Sequence, residues 1–193
     1  MQMLSSSSAV LLFFAASLSV ADAWYCECGT YCPDAVKKFR APLPCPAGSY
    51  CPKSAYNATS FPKPCPAGNV CPKGSCLPLP CPCGYKCPAK TTAAIICQPP
   101  FYCPKQNSTT QTLCPIGSKC DLPGMCVPTA CEPGTYVSCA GKKSCDPCPK
   151  GRFCATPTSS VLCPAGFFCP AASSQPIPCP PNKSCPAGSW KAQ

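Results

Sequence analysis

The one sustained apolar stretch is the first, Ala9 to Val20, and Ala21-Asp22-Ala23 follows it with the small-x-small pattern of a signal peptidase site. Residues 1–23 therefore read as a signal peptide, with the mature chain starting at Trp24. A run of about a dozen apolar residues is too short to span a bilayer, which takes about 20. No later stretch is long enough either, because all 25 cysteines and all 30 prolines come after residue 23 and interrupt the apolar positions. Proline has no amide donor and pushes the residue before it toward extended geometry, so long helices and wide sheets are not expected. The pattern predicts a small disulfide-rich fold: an elongated tandem array of short β-hairpin and turn repeats with little regular secondary structure.

The array is written in the cysteines. CPAGSYCP (45–52), CPAGNVCP (65–72) and CPAGFFCP (163–170) repeat one octet. Repeats open at Cys26, Cys45, Cys65, Cys81, Cys97, Cys114, Cys131, Cys148, Cys163 and Cys179, at steps of 15 to 20 residues. Residues 24–193 thus divide into ten repeats of about 17 residues. Each opening cysteine has a closing one, at Cys32, Cys51, Cys71, Cys87, Cys103, Cys120, Cys139, Cys154, Cys169 and Cys185. Nine spans are C-x5-C, and Cys131 to Cys139 is longer.

Within the octet, proline presets φ and glycine stands fourth, the signature of a type I turn from the opening cysteine. Glycine fills that slot eight times; Asn182 replaces it once, with tolerance of the same backbone angles, and Pro100 once. Only the fifth repeat should turn differently. Tyr31, Tyr50, Tyr102, Phe153 and Phe168 precede the closing cysteine. They suit packing on the neighbouring disulfide, in place of a core, better than a row of sugar-stacking rings.

Sequence does not settle the disulfide pairing. Each octet can close on itself, or a closing cysteine can pair with the next opening one, as Cys169 with Cys179. The expected disulfide formers are the repeat cysteines from Cys45 to Cys185. Cys28, Cys76, Cys83, Cys126 and Cys145 lie outside the pattern, and an odd total of 25 leaves one thiol free or bonded to another molecule.

Such cysteine density belongs in an oxidising, extracellular compartment. Three N-glycosylation acceptors agree with secretion, at Asn57, Asn107 and Asn182. The 16 lysines and arginines face five acids after residue 23, and the excess is spread along the chain, which favours loose attraction to polyanions. With no histidine, Ser-His-Asp and Cys-His catalysis and histidine zinc sites are excluded. No D-x-D cluster suggests a calcium loop, and Cys145-Asp146-Pro147-Cys148 lacks the βαβ context of a redox motif. The sequence thus points to no enzyme, cofactor or metal. Charge without a groove-reading element points to no nucleic-acid partner either.

The segment CEPGTYVSCAGKKSCDPCPKGRFC, residues 131–154, resembles the cysteine-rich repeats of ephrin receptors, a group close in appearance to tumour-necrosis-factor-receptor modules. Cys131-Glu132-Pro133-Gly134-Thr135-Tyr136 and Cys145-x-x-Cys148-Pro149-x-Gly151 carry the resemblance, and the other repeats look like compressed versions. It implies extracellular, non-catalytic spacers or binding rods; the chain shows no kinase and no accompanying receptor domain, so signalling does not carry over.

Two functions fit this reading. One is a secreted structural or adhesive protein of a cell wall, extracellular matrix or surface appendage, with disulfide-linked self-association through the odd cysteine. The other is a secreted ligand or effector acting on a receptor, enzyme or acidic glycan, with its specific loop between Cys120 and Cys148. The expected partners are an extracellular protein or acidic polysaccharide, and no membrane span is expected in the mature chain.

Overall fold

The computed structural model describes residues 26–33, 42–53 and 61–193. The signal segment and Asn57 lie outside the described residues. Among the described residues there is no helix, and nine two-stranded antiparallel hairpins succeed one another along the chain. This is the tandem hairpin array the cysteine pattern predicts.

The second repeat shows how one unit is made. Ser49–Tyr50 pairs with Lys63–Pro64, with Ser49 opposite Pro64 and Tyr50 opposite Lys63. Cys65 N–H donates to Gly48 O (2.9 Å), so by antiparallel alternation Pro64 and Ser49 form a non-hydrogen-bonded pair. The missing proline amide costs nothing there, which is why five of the nine hairpins end in proline. The eighth repeat takes the shortest step, 15 residues, and makes a longer ladder, Arg152–Thr156 against Ser159–Leu162.

The first turn differs from the type I turn expected from the opening cysteine. Ser49 N–H donates to Pro46 O (3.2 Å), so the turn starts one residue later and places Gly48 third, at φ +79°. That is the geometry of a type II turn. The reversed peptide lets Gly48 N–H reach out of its own repeat to Cys71 O of the next (2.9 Å). Asn182 takes the slot with φ +63°, as its side chain allows. The fifth repeat does turn differently: Pro100 fills the slot after a cis Pro99–Pro100 peptide and has no N–H to offer its neighbour.

A second turn, unmarked in the octet, follows the closing cysteine. In the third repeat Ser75 N–H donates to Pro72 O (3.2 Å) and Gly74 adopts φ +80°. Lys90, Asn107, Gly124, Gly141, Ala172 and Gly188 hold the equivalent left-handed position. The next hydroxyl often reinforces the turn, as Ser75 Oγ does to Pro72 O and Ser173 Oγ to Pro170 O, both at 2.7 Å.

The two turns zip neighbouring repeats together. Between the second and third, Gly48 N–H reaches Cys71 O, Cys51 N–H reaches Ser75 O, and Gly74 N–H returns to Cys45 O, at 2.9, 2.9 and 2.8 Å. The same three bonds join the third to the fourth repeat through Gly68, Cys71 and Lys90, and the ninth to the tenth through Gly166, Cys169 and Gly188. Between the fifth and sixth only Cys103 to Met125 O and Gly124 to Cys97 O remain, because Pro100 cannot donate.

Alternate repeats touch as well. A Cβ on Gly48 would lie 2.8 Å from Lys90 O, and one on Gly68 would lie 2.7 Å from Asn107 O, two repeats further on. Gly29 faces Gly74 O, Gly84 faces Gly124 O, Gly134 faces Ala172 O and Gly151 faces Gly188 O in the same way. Little besides sulfur is buried: among the described residues the buried apolar side chains are cysteines and one valine, Val137. Small side chains, short hairpins and bonds that reach one or two repeats ahead give a stacked, quasi-one-dimensional array.

Gly84 and Gly166 separate the two demands on these glycines, since both have φ near +80° but a Cβ at Gly166 meets nothing within 4 Å. Gly166→Ala should cost about 1–2 kcal/mol, the left-handed penalty alone. Gly84→Ala should cost at least about 2 kcal/mol more, because a backbone carbonyl must move. Denaturant unfolding of the two variants, disulfides intact, measures the difference.

Candidate functional site

Three features depart from the repeat and are the candidates for function: the cross-staples, the seventh repeat, and the cleft beside it. All are positioned by the turns just described.

Nine octets close on themselves: Cys26–Cys32, Cys45–Cys51, Cys65–Cys71, Cys81–Cys87, Cys97–Cys103, Cys114–Cys120, Cys148–Cys154, Cys163–Cys169 and Cys179–Cys185. Of the pairings open to the sequence, the structure takes the one within the octet. Two further disulfides, Cys28–Cys76 and Cys83–Cys126, tie repeats one to three and four to six. Each lies beside a pair of facing glycines, Gly29 with Gly74 and Gly84 with Gly124. The position before the first-turn glycine and the position two after the second-turn residue are therefore neighbours across alternate repeats. In repeats eight and ten the same positions hold Lys150 and Trp190, and Lys150 Nζ sits 4.8 Å from the indole centroid. A cation–π contact stands where the earlier repeats have a disulfide.

The seventh repeat breaks the octet. Its closing position, six residues after Cys131, is Val137, fully buried where a cysteine is buried elsewhere. Cys131 instead bonds Cys145, with the Cα atoms 5.8 Å apart. Cys139, expected among the disulfide formers, is the one free cysteine and is exposed. The reason is geometric: a cysteine two places late misses the pocket facing Cys131, which the valine side chain fills. The signal was the C-x7-C spacing together with the apolar residue at the regular position.

A cleft of about 320 Å³ opens between the sixth and seventh repeats, lined by Lys119, Thr129, Ala130, Glu132, Thr135, Ser144 and Cys145. Lys119 Nζ lies 2.9 Å from Asp121 Oδ2. The hydrogen bond from Lys119 holds the Asp121 carboxyl below its usual range, and the same bond raises the Lys119 ammonium. Thr135 Oγ1 donates to Glu132 O at 2.7 Å, which fixes the rim. The walls offer hydroxyls, one ammonium and one carboxylate, a set suited to a small polar group.

The remaining candidates are placed as follows. Asn107 and Asn182 are exposed, both at left-handed turn positions, at φ +61° and +63°. Tyr31, Tyr50, Tyr102, Phe153 and Phe168 are half-buried on the first strands of their hairpins. Among the described residues no group of three His, Cys, Asp or Glu is placed to hold a metal ion. No helix among them is long and apolar enough to cross a membrane. No family model matches the chain, and no curated protein matches it. What the geometry defines is a class: an all-β, disulfide-stapled hairpin array.

Two outcomes test this site. Val137→Cys should restore the octet bond to Cys131 and release Cys145, which peptide mapping under non-reducing conditions would detect. An NMR titration should find the Asp121 carboxyl titrating lower than a free aspartate, and Lys119→Met should return it upward. Because the folded value is depressed, the pair's support is present above the unfolded aspartate pKa and is lost as pH falls through the folded one.

Proposed function

We propose that the protein is a secreted structural or adhesive component of a cell wall, extracellular matrix or surface appendage. The observation that carries this reading is the continuous backbone ladder between successive repeats, reinforced by staples between alternate ones, with a single thiol left at the surface. The first two features make a stiff element of repeating length. The thiol at Cys139 offers one covalent point per chain for linking it to another. Twelve disulfides support an oxidising compartment, and the signal-like residues 1–23 and the exposed acceptors Asn107 and Asn182 support secretion. In this reading the likeness of residues 131–154 to receptor cysteine-rich repeats is a likeness of spacer architecture, and no catalytic role is assigned.

The cleft beside the seventh repeat favours one alternative, a secreted ligand or effector. It lies mostly within the Cys120–Cys148 region, where the array departs most from its own rule, with Lys119 just before it, and carries the Lys119, Glu132 and Ser144 side chains.

The secreted protein should run as a disulfide-linked multimer on a non-reducing gel and fall to monomer on reduction. Cys139→Ser should abolish the multimer and leave the twelve internal bonds in place. A wild-type monomer carrying one alkylatable thiol would sink the cross-linking role and favour the effector, for which Lys119→Met should then weaken partner binding.

A further inference from the structure

We infer that the described residues of repeats two to five, 45–53 and 61–113, are a docking track for a linear anionic polysaccharide. The inference rests on the wall-or-matrix reading above and names the partner that such a component would hold.

Charge is not spread evenly once acids and bases are placed together. Between residues 35 and 120 there is no aspartate or glutamate, yet ten of the 16 lysines and arginines fall there. The acids that form ion pairs with lysine lie outside that stretch: Glu27 with Lys53, Asp121 with Lys119, and Asp146 with Lys142. Glu27 of the first repeat meets the track at Lys53 alone, and beyond that end the stretch carries no acid of its own, so its potential adds along its length.

The cations also recur from repeat to repeat. Lys63, Lys73, Lys90 and Lys105 are exposed, one in each of repeats two to five. Lys73, Lys90 and Lys105 ride on second turns that are fixed in the same way, by Gly74 N–H to Cys45 O, Lys90 N–H to Cys65 O and Asn107 N–H to Cys81 O, at 2.8, 2.9 and 2.8 Å. The repeated turn thus carries a cation within two residues of its left-handed position in each of three successive repeats, which suits a partner whose own charge recurs along a chain.

The choice among polyanions follows from the side chains. All four are lysines, point charges without the planar fork that grips a phosphate in two places. The strand aromatics of these repeats, Tyr50, Tyr85, Phe101 and Tyr102, are half-buried, and Phe61 alone is exposed, so the described residues offer one ring and no row of rings on which successive bases could stack. Carboxylate or sulfate groups spaced along a glycan meet this surface by charge alone.

The test uses the full secreted chain and two probes, polygalacturonate for carboxylate and dextran sulfate for sulfate. Neutral dextran and a double-stranded oligonucleotide are the comparisons. Binding to one or both acidic glycans is expected, falling about tenfold or more between 50 and 200 mM salt by counterion release; the preferred probe identifies the anionic group. Combined Lys63→Gln, Lys73→Gln, Lys90→Gln and Lys105→Gln should lose about tenfold or more, reflecting four lost contacts. Lys142→Gln, Lys143→Gln, Lys150→Gln and Lys183→Gln, which remove equal charge elsewhere, should change affinity less than about twofold. Equal loss in both sets, equal binding to neutral dextran, or tighter binding to the oligonucleotide would overturn the inference. Both sets alter exposed or half-exposed lysines, and an unchanged elution volume with one titratable thiol checks their folding. A monomeric protein that still binds acidic glycan would remove the cross-linking role and leave this inference standing. A multimer that binds neither glycan would do the reverse.

Discussion

The array depends on one close approach: a backbone carbonyl from two repeats ahead occupies the space a side chain would need at the first-turn glycine. Gly29, Gly48, Gly68, Gly84, Gly134 and Gly151 all make room this way. Steric exclusion and the left-handed φ act at the same residue. Glycine therefore both permits the turn and admits the neighbour, and the turn in turn aims an N–H at the adjacent repeat. The cross-staples lie beside two of these approaches, while Gly134 and Gly151 come as near to their carbonyls without one.

Sulfur takes the place of a hydrocarbon core. Hairpins of two residues per strand cannot shelter leucine or isoleucine, and Leu79, Ile95 and Ile177 all remain exposed. A ring of six residues adds only about 2 kcal/mol by loop closure, whereas loops of 48 and 43 residues add about 4 kcal/mol each. The octet bonds therefore do most of their work as packed filling, and the two long ones do most of theirs as constraints on the unfolded chain. Val137 fits this view: at the one octet without a closing cysteine, an apolar side chain of similar bulk fills the space.

Much of the architecture was legible because it rests on residues with few options. Cysteine spacing marks the period, proline excludes helices, and glycine marks the first turn. The second turn was not legible, because Lys90, Asn107 and Ala172 hold its left-handed position as readily as Gly74, and no single letter announces it. The turn type was misread because the octet begins with cysteine, while the hydrogen bond begins at the proline after it. Contacts between alternate repeats left almost no trace in the period, and only the extra cysteines Cys28, Cys76, Cys83 and Cys126 hinted at them. Cys139 was grouped with its neighbours by spacing, although burial at Val137 decides the matter. The cleft involves Lys119 and Glu132, which are ordinary surface residues until the fold brings them together.

The placement of the two long staples has a mechanical consequence. Cys28–Cys76 and Cys83–Cys126 enclose repeats one to six almost end to end, so tension applied along the chain passes through sulfur and the short link from 76 to 83. That part of the molecule has almost no slack to release. In repeats seven to ten each bridge encloses at most 14 residues, and Lys150 and Trp190 meet without a covalent bond. Under load the first part behaves as a cable of fixed length, and the second as a segment that can give way one repeat at a time.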